Sequence, residues 1–542
     1  MSDYKLRYFA NGGEKEEISF APEGVFENET FAVDARVDGC RYTVKVTAKR
    51  DVELIKCTRR GVAKANAGDL CLINGYQSWT KTKEYFLTET EHDVNKLPKP
   101  LVRSFAFDRY GDTTFFDYDK NILHGYDLFY VRSERGAFIF NANYKNAYLI
   151  VVVDRRTGEI SVSNELDGLV LKKGETFTVC DHYLCDGYEN GLKKFDEFFP
   201  KKPTEKILGY TSWYNYYQNV NEEIILRDLD ALDSRFDLFQ IDDGYETFVG
   251  DWLNVDKTKF PNGLKPIVDK IHFKGYKAGI WLAPFVAEEK SKVFAEHPDW
   301  FDFDGSLCKC GSNWSGFYSL NLEKQGVKEY IAECLQYYID LGFDFFKLDF
   351  LYAANLPVYK GKTRCRTAEN AYDFLREVLK GKIILGCGAT VFNAANKFEY
   401  MRIGPDVSLK FDDVWYMRFM HNERISTKTT LQNTVYRSLL NGRLFGNDPD
   451  VFLLRDDNIS MNAKQKRALI TLNALFGSVL MTSDDIARYD DEKKEILASA
   501  LELFKKATVK GYRRNHDIIT VTYELDGTEK TFDYNYKKGE IK

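Results

Sequence analysis

Histidine is scarce in this chain, seven residues in 542, and no two stand at HxH or HxxxH spacing. A metal site is therefore not expected, and metal-dependent chemistry is disfavoured. The ten cysteines include no CxxC pair, and the nearest two, Cys308 and Cys310, flank a single residue. Such scatter predicts reduced thiols, and with an opening MSDYKLRYFANGG that has no apolar signal-peptide core it predicts a cytoplasmic protein. The longest apolar run, Ala147 to Val153, is far too short to cross a bilayer and reads as a buried strand. Charge of one sign is also lacking. With 76 basic and 82 acidic residues interspersed, the net charge of −6 leaves no footprint for nucleic acid or for an acidic membrane. A neutral small molecule suits this surface better, and a homo-oligomer stays open.

What is present is a change of period along the chain. A length of 542 residues exceeds what one core organises, so two or three domains are expected. Up to about Asp186 the sequence consists of short runs such as RYTVKVTAKR and GAFIFNANY bounded by Gly, Asn and Asp, the pattern of a β-sandwich. A helical stretch from Tyr188 leads to Pro200-Lys-Lys-Pro203, a stiff polar boundary. From Lys206 onward, ILGYTSW, DLFQIDD, YKAGIWLAP, FDFFKLDF, KIILGCG, EYMRIG, RLFGNDPD and SVLMTSDD alternate with helical periods, each but the last leading into a helix. They predict a (β/α)₈ TIM barrel, and the β pattern returns in IITVTYELDG and KTFDYNY. The expected organisation is a multidomain α/β protein: an N-terminal β-sandwich over 1–187, a linker helix over 188–204, a catalytic barrel over 205–485 and a small C-terminal β domain over 486–542.

Barrels of this kind place their chemistry at the C-terminal ends of the strands. There stand Trp213, Asp242 and Asp243, Trp281, Lys347 and Asp349, Cys387, Arg402 and Asp406, Asp448 and Asp450. Any one aspartate could simply cap the next helix. In FDFFKLDF, however, alternation turns Phe345, Lys347 and Asp349 into the barrel and Phe346, Leu348 and Phe350 toward the helices. A buried lysine and carboxylate are costly unless they serve each other or a ligand. DLFQIDD points Gln240 and Asp242 inward and sets Asp243 at the strand end, and Trp281 offers a flat face to a sugar ring. Carboxylates, a lysine, an arginine and aromatic faces, with no phosphate loop and no Ser/His pair, point to glycosidic chemistry, which needs one carboxylate as nucleophile or base and another as acid.

At these residues the chain resembles glycoside hydrolase family 36, the α-galactosidases of clan D, in their short bacterial form. LFQIDDGYE, GDW, FPNG, GIWLAPF, EHPDW, FFKLDFL, LGCG, MRIGPD and NDPD stand in the family's order, and the likeness covers essentially the whole chain. The resemblance implies a retaining α-galactosidase acting on α-galactoside oligosaccharides, with Asp349 of K-x-D as nucleophile and Asp406 of R-x-G-x-D as acid/base. It implies further that Asp242 and Asp243 bind the sugar's O4 and O6 hydroxyls and that Lys347 and Arg402 contact sugar and nucleophile. Trp281 and Cys387 would line the pocket, Trp213 would stand at it, and Trp79 of NGYQSWT would reach over from the sandwich. No cofactor is implied. Departures from the family pattern are Tyr210 in place of a second tryptophan, ATVFNAANKFEY after LGCG, and Asn321 where Asp is frequent. The rival enzymes are an α-N-acetylgalactosaminidase and a raffinose-synthase-like galactosyl transferase, and the non-enzyme rival is a silent carbohydrate-binding protein on the same barrel.

Overall fold

Alternate residues of the early strands are buried, as in Tyr4–Ala10 and Arg41–Ala48, because each strand keeps one face on an apolar interior and the other toward water. In the computed structural model, which describes residues 2–10, 13–89, 98–412, 417 and 421–542, this period builds two antiparallel sheets of six and eight strands. Leu6, Val33, Val44 and Leu54 pack in one of the cores of this N-terminal sandwich. Helix Tyr188–Phe198 lies against it rather than bridging open space. A Cβ on Gly191 would come within 2.0 Å of Phe138, so the helix backbone rests directly on strand Ala137–Asn141.

The central sheet is parallel and curled. Its strands Ile207–Thr211, Leu238–Ile241, Lys277–Leu282, Phe345–Leu348, Ile383–Gly386, Tyr400–Arg402, Gly446–Asp448 and Val479–Thr482 follow one another in chain order. Nearly every residue in them is buried, as expected when side chains fill the barrel on one side and meet helices on the other. The seventh position is a broken strand: Gly446–Asp448 pairs with the sixth strand, and Val451–Phe452 pairs with the eighth. Pro449 has no N–H for the ladder, and Asp450 sits in the left-handed region at φ 73°, so the chain kinks between its two partners and closes the barrel.

Two features depart from the simple strand and helix count. Between the third and fourth strands the chain inserts a three-stranded antiparallel sheet, Val286–Glu288, Lys309–Gly311 and Phe317–Ser319. After the eighth strand, contrary to expectation, comes the 16-residue helix Asp491–Lys506, capped by the Asp490 side chain. The segment from 486 therefore opens on a barrel helix, and the four-stranded C-terminal sheet begins only at Thr508. That sheet touches the sandwich as well, with the Tyr512 and Tyr130 hydroxyls 2.9 Å apart. All ten cysteines are free thiols. Among the described residues, no helix is long and apolar enough to cross a membrane.

Candidate active site

Three barrel strands in succession end in the carboxylate cluster's first half. The strand Leu238–Ile241 stops at Asp242, whose Oδ2 accepts hydrogen bonds from Gln240 Nε2 at 2.7 Å, Thr211 Oγ1 at 3.1 Å and Lys347 Nζ at 2.9 Å. Lys347, on the fourth strand, is itself buried. Burial pulls its ammonium pKa down, but the charges of Asp242 and Asp349 outweigh this and hold it above its ordinary value, Arg402 opposing them. Two residues on, Asp349 Oδ2 accepts from Trp281 Nε1 at 3.0 Å and Oδ1 from the Phe350 amide at 2.8 Å. A negative charge on Asp349 is thus met by donors on both oxygens.

Phe350 corrects the alternation argument. The strand ends at Leu348, and Phe350 takes a left-handed conformation at φ 54°, which turns its ring into the pocket instead of toward the helices. There it packs against Trp79, Trp314 and Tyr352 with ring centres 5.2, 5.1 and 6.4 Å apart. Left-handed backbone at a bulky residue costs free energy and persists only where its surroundings impose it.

The other half of the cluster is organised by Arg402. Its Nε meets Asp448 Oδ2, Nη1 meets Asp406 Oδ1 and Nη2 meets Asp450 Oδ1, each at 2.9 Å. One guanidinium cannot neutralise three carboxylates. Burial, opposed by Arg402 and reinforced by Asp406 and Asp448, pushes the Asp450 carboxyl up to about 6, and the Tyr214 hydroxyl donates to it. Asp406 differs from its neighbours in standing at the pocket surface with its side chain 31% exposed. Recession into the pocket raises its pKa, Arg402 and Lys347 pull it down, and the charges of Asp349 and Asp242 push it up again. The net direction is upward.

These groups line one cavity of about 610 Å³. Trp79, Trp213, Asp242, Asp243, Trp281, Lys347, Asp349 and Asp406 all reach its wall, as the sequence led one to expect. Arg402 stands behind Asp406. Cys387, expected to line the pocket, is instead fully covered: the Trp79 indole lies over it and donates Nε1 to Sγ at 3.3 Å. A Cβ on the adjacent Gly388 would meet the same indole ring at 3.0 Å, so the barrel surface here is shaped to receive Trp79. Tyr210 points away from the site, its hydroxyl bonded to Asp228 and its ring stacked on Phe239 at 4.7 Å. Asn321 is likewise remote, its amide donating to Asp302 O at 2.7 Å.

Several wall residues escaped the strand-end argument because they come from elsewhere. Trp314, from the insertion after the third strand, adopts φ 53° and donates Nε1 to Asp243 Oδ2 at 2.9 Å. Phe107 and Tyr110 come from the sandwich segment and stack on His421 at 4.9 and 5.4 Å. Behind Asp243 lies Glu246, hydrogen-bonded to it. Burial raises both carboxyl pKa values, and for Glu246 the Asp243 charge raises it further. Among the described residues, no group of three or more His, Cys, Asp or Glu is placed to hold a metal ion.

Residues 199–380 match the melibiase family model. That segment, about a third of the chain, is what the likeness to the family covers. Among curated relatives, an α-galactosidase of Lactobacillus acidophilus is 27% identical over 218 residues, 35% of this chain and 29% of the relative. An α-galactosidase of Escherichia coli is 29% identical over 147 residues, 24% of this chain and 21% of the relative. The aligned parts thus span less than a third of those relatives. Among solved structures, the α-galactosidase of Thermus thermophilus in complex with p-nitrophenyl α-D-galactopyranoside superposes with a TM-score of 0.72 at 23% identity, covering 93% of this chain and 98% of that one. The same enzyme in complex with stachyose gives 0.68 at 24%, covering 92% and 99%. The family 36 α-galactosidase AgaA of Geobacillus stearothermophilus gives 0.60 at 12%, covering 93% and 72%. At these identities the likeness shows that the chain shares their fold.

Proposed function

We propose that this chain is a retaining α-galactosidase that removes terminal α-linked galactose from oligosaccharides by double displacement, with Asp349 as nucleophile and Asp406 as acid/base. The observation that carries this reading is the contrast between two carboxylates facing one pocket. Asp349 is cradled by N–H donors on both oxygens, whereas Asp406 is held toward its protonated form. Asp349 forms a bond to the anomeric carbon as the bond to the leaving oxygen breaks, and that oxygen takes the proton of Asp406. Asp406, now ionised, removes a proton from water, whose oxygen attacks the same carbon and expels Asp349. Two inversions give net retention.

Asp242 and Asp243 accept hydrogen bonds from the O4 and O6 hydroxyls, Trp281 and Trp79 supply apolar faces, and Lys347 holds the Asp242 carboxylate in place. Supporting this assignment of substrate, the Thermus enzyme of the same fold binds an aryl α-galactoside and stachyose. The test is a screen of nitrophenyl α- and β-glycosides of galactose, N-acetylgalactosamine, glucose and xylose. Preferred cleavage of the α-galactoside with release of α-galactose is expected. Preference for another sugar, or release of the β-anomer, would overturn the assignment.

A further inference from the structure

Arg437 follows helix Thr427–Tyr436 and is wholly inside the protein, 1% exposed. Its Nε donates to Asn74 Oδ1 at 3.1 Å, its Nη1 to Ile403 O at 2.9 Å and to Ser78 O, and its Nη2 to Gly75 O at 3.2 Å and Gln77 O at 3.0 Å. None of these acceptors is a carboxylate. Burying a guanidinium without one is expensive, and an apolar side chain in its place would leave these buried acceptors without their donor. What the guanidinium provides is geometry, because its planar fork of five donors gathers carbonyls that point in different directions. Four of its acceptors belong to the sandwich loop that ends in Trp79, and the fifth, Ile403, directly follows Arg402.

We propose that Arg437 is a positioning residue for the pocket, locking loop Asn74–Thr82 and its Trp79 wall onto the exit of the strand that carries Arg402 and Asp406. Asn433, one helical turn earlier on the same face, repeats the pattern. Its Nδ2 donates to Thr80 O and to Ile403 O, both at 3.0 Å, and its Oδ1 accepts from the Thr82 amide at 2.8 Å. At the start of the helix the Ser426 amide donates to Asp406 O at 3.1 Å, and the Thr430 hydroxyl donates to Pro405 O. Thr80 closes the circuit by donating to Glu423 Oε1 at 2.8 Å on the pocket wall. This helix therefore ties the wall to the acid/base segment, while the Ser78 amide, donating to Ala389 O at 2.9 Å, and the Gln77–Thr390 bridge hold the same loop to the exit of the fifth strand.

The kinetic part of the test rests on the α-galactosidase reading; the structural part does not. Arg437→Lys keeps the charge but cannot bridge divergent carbonyls. It is expected to lower kcat/KM on an aryl α-galactoside by about 10- to 100-fold, as small misplacements of pocket groups do. In a Trp79→Ala background the same substitution should cause little further loss, since residues acting through one another are not additive. Full activity in Arg437→Lys, or an equal loss with and without Trp79, overturns the inference. If Arg437→Lys does not fold, as judged by thermal melting, Asn433→Ala is read by the same two criteria. A crystal structure of the variant decides independently of activity: Trp79 displaced from Cys387 supports the inference, and Trp79 in place overturns it. Wild-type protein that cleaves no α-galactoside defeats the functional reading alone.

Discussion

Lys347 and Asp242, on the fourth and second strands of the barrel, form an ion pair 2.9 Å long with both side chains almost completely buried. The two strands are separated by the one that carries Trp281, so the pair ties the floor of the pocket across the barrel's interior. Lys347→Met leaves a buried carboxylate with no cation and is expected to cost about 3–5 kcal/mol of stability. Denaturant unfolding measures it. The double variant Lys347→Met/Asp242→Leu should recover much of that stability while remaining inactive. A single variant of wild-type stability would mean that Asp242 does not depend on the lysine.

Asp349→Gly should reduce turnover by several orders of magnitude, and added azide should restore it by attacking the anomeric carbon from the vacated side. The expected product is β-galactosyl azide, identified by mass spectrometry and proton coupling constants. Undiminished turnover in Asp349→Asn would remove Asp349 from the mechanism.

In the proposed cycle Asp406 begins protonated, and its carboxyl pKa is raised, first by burial and then by the neighbouring carboxylates, against Arg402 and Lys347. Activity should therefore fall as pH rises through that elevated value, forming the basic limb of kcat/KM. Asp406→Ala should abolish this limb and slow poor leaving groups far more than activated aryl galactosides. Equal losses on both substrates would point to a structural role.

Asp243 and Glu246 give a pH-dependent contribution to stability whose sign follows from their raised pKa values. An acid with a raised pKa in the folded state binds more protons there than in the unfolded chain. Its stabilisation is complete below the unfolded pKa of about 4.3 and is lost as pH rises toward the folded value. Glu246→Gln removes one titrating group, so its unfolding free energy should decline less steeply with pH than that of wild type. Parallel curves would contradict a raised pKa at Glu246.

In the proposed function, Asp242 and Asp243 choose the sugar. A carboxylate desolvated to receive an axial 4-hydroxyl is left unpaired by glucose, and sites of this kind discriminate by roughly 10⁴ or more. Asp242→Asn and Asp243→Asn should each lose activity on α-galactosides, and at least one should narrow the gap to α-glucosides. If both merely cap the local turn, melting should fall by about 1 kcal/mol equivalent with turnover nearly untouched.

Much of this site was legible in the sequence because a strand has a period of two and a barrel keeps its chemistry at one end. Alternation alone put Lys347, Asp349, Gln240 and Trp281 inside, where they are found. The last helix was missed by the period argument, which read the segment from 486 as β, although Asp490 as cap, acids in the first turn and lysines in the last are standard helix signals. Phe350 was not legible, since alternation lapses where the strand ends and only the surrounding packing imposes its left-handed turn. Trp314, Phe107 and Tyr110 reach the pocket from an insertion and from another domain, and no local period records a contact made across hundreds of residues. Cys387 shows the same limit from the other side: its place at a strand end marked it as a pocket residue, and Trp79, docked from the sandwich, covers it. Sequence by itself determined which groups the barrel turns inward, because that depends on backbone geometry a few residues long. Tertiary structure alone decided which of them remain exposed to a substrate, because exposure is set by whatever the rest of the chain lays on top.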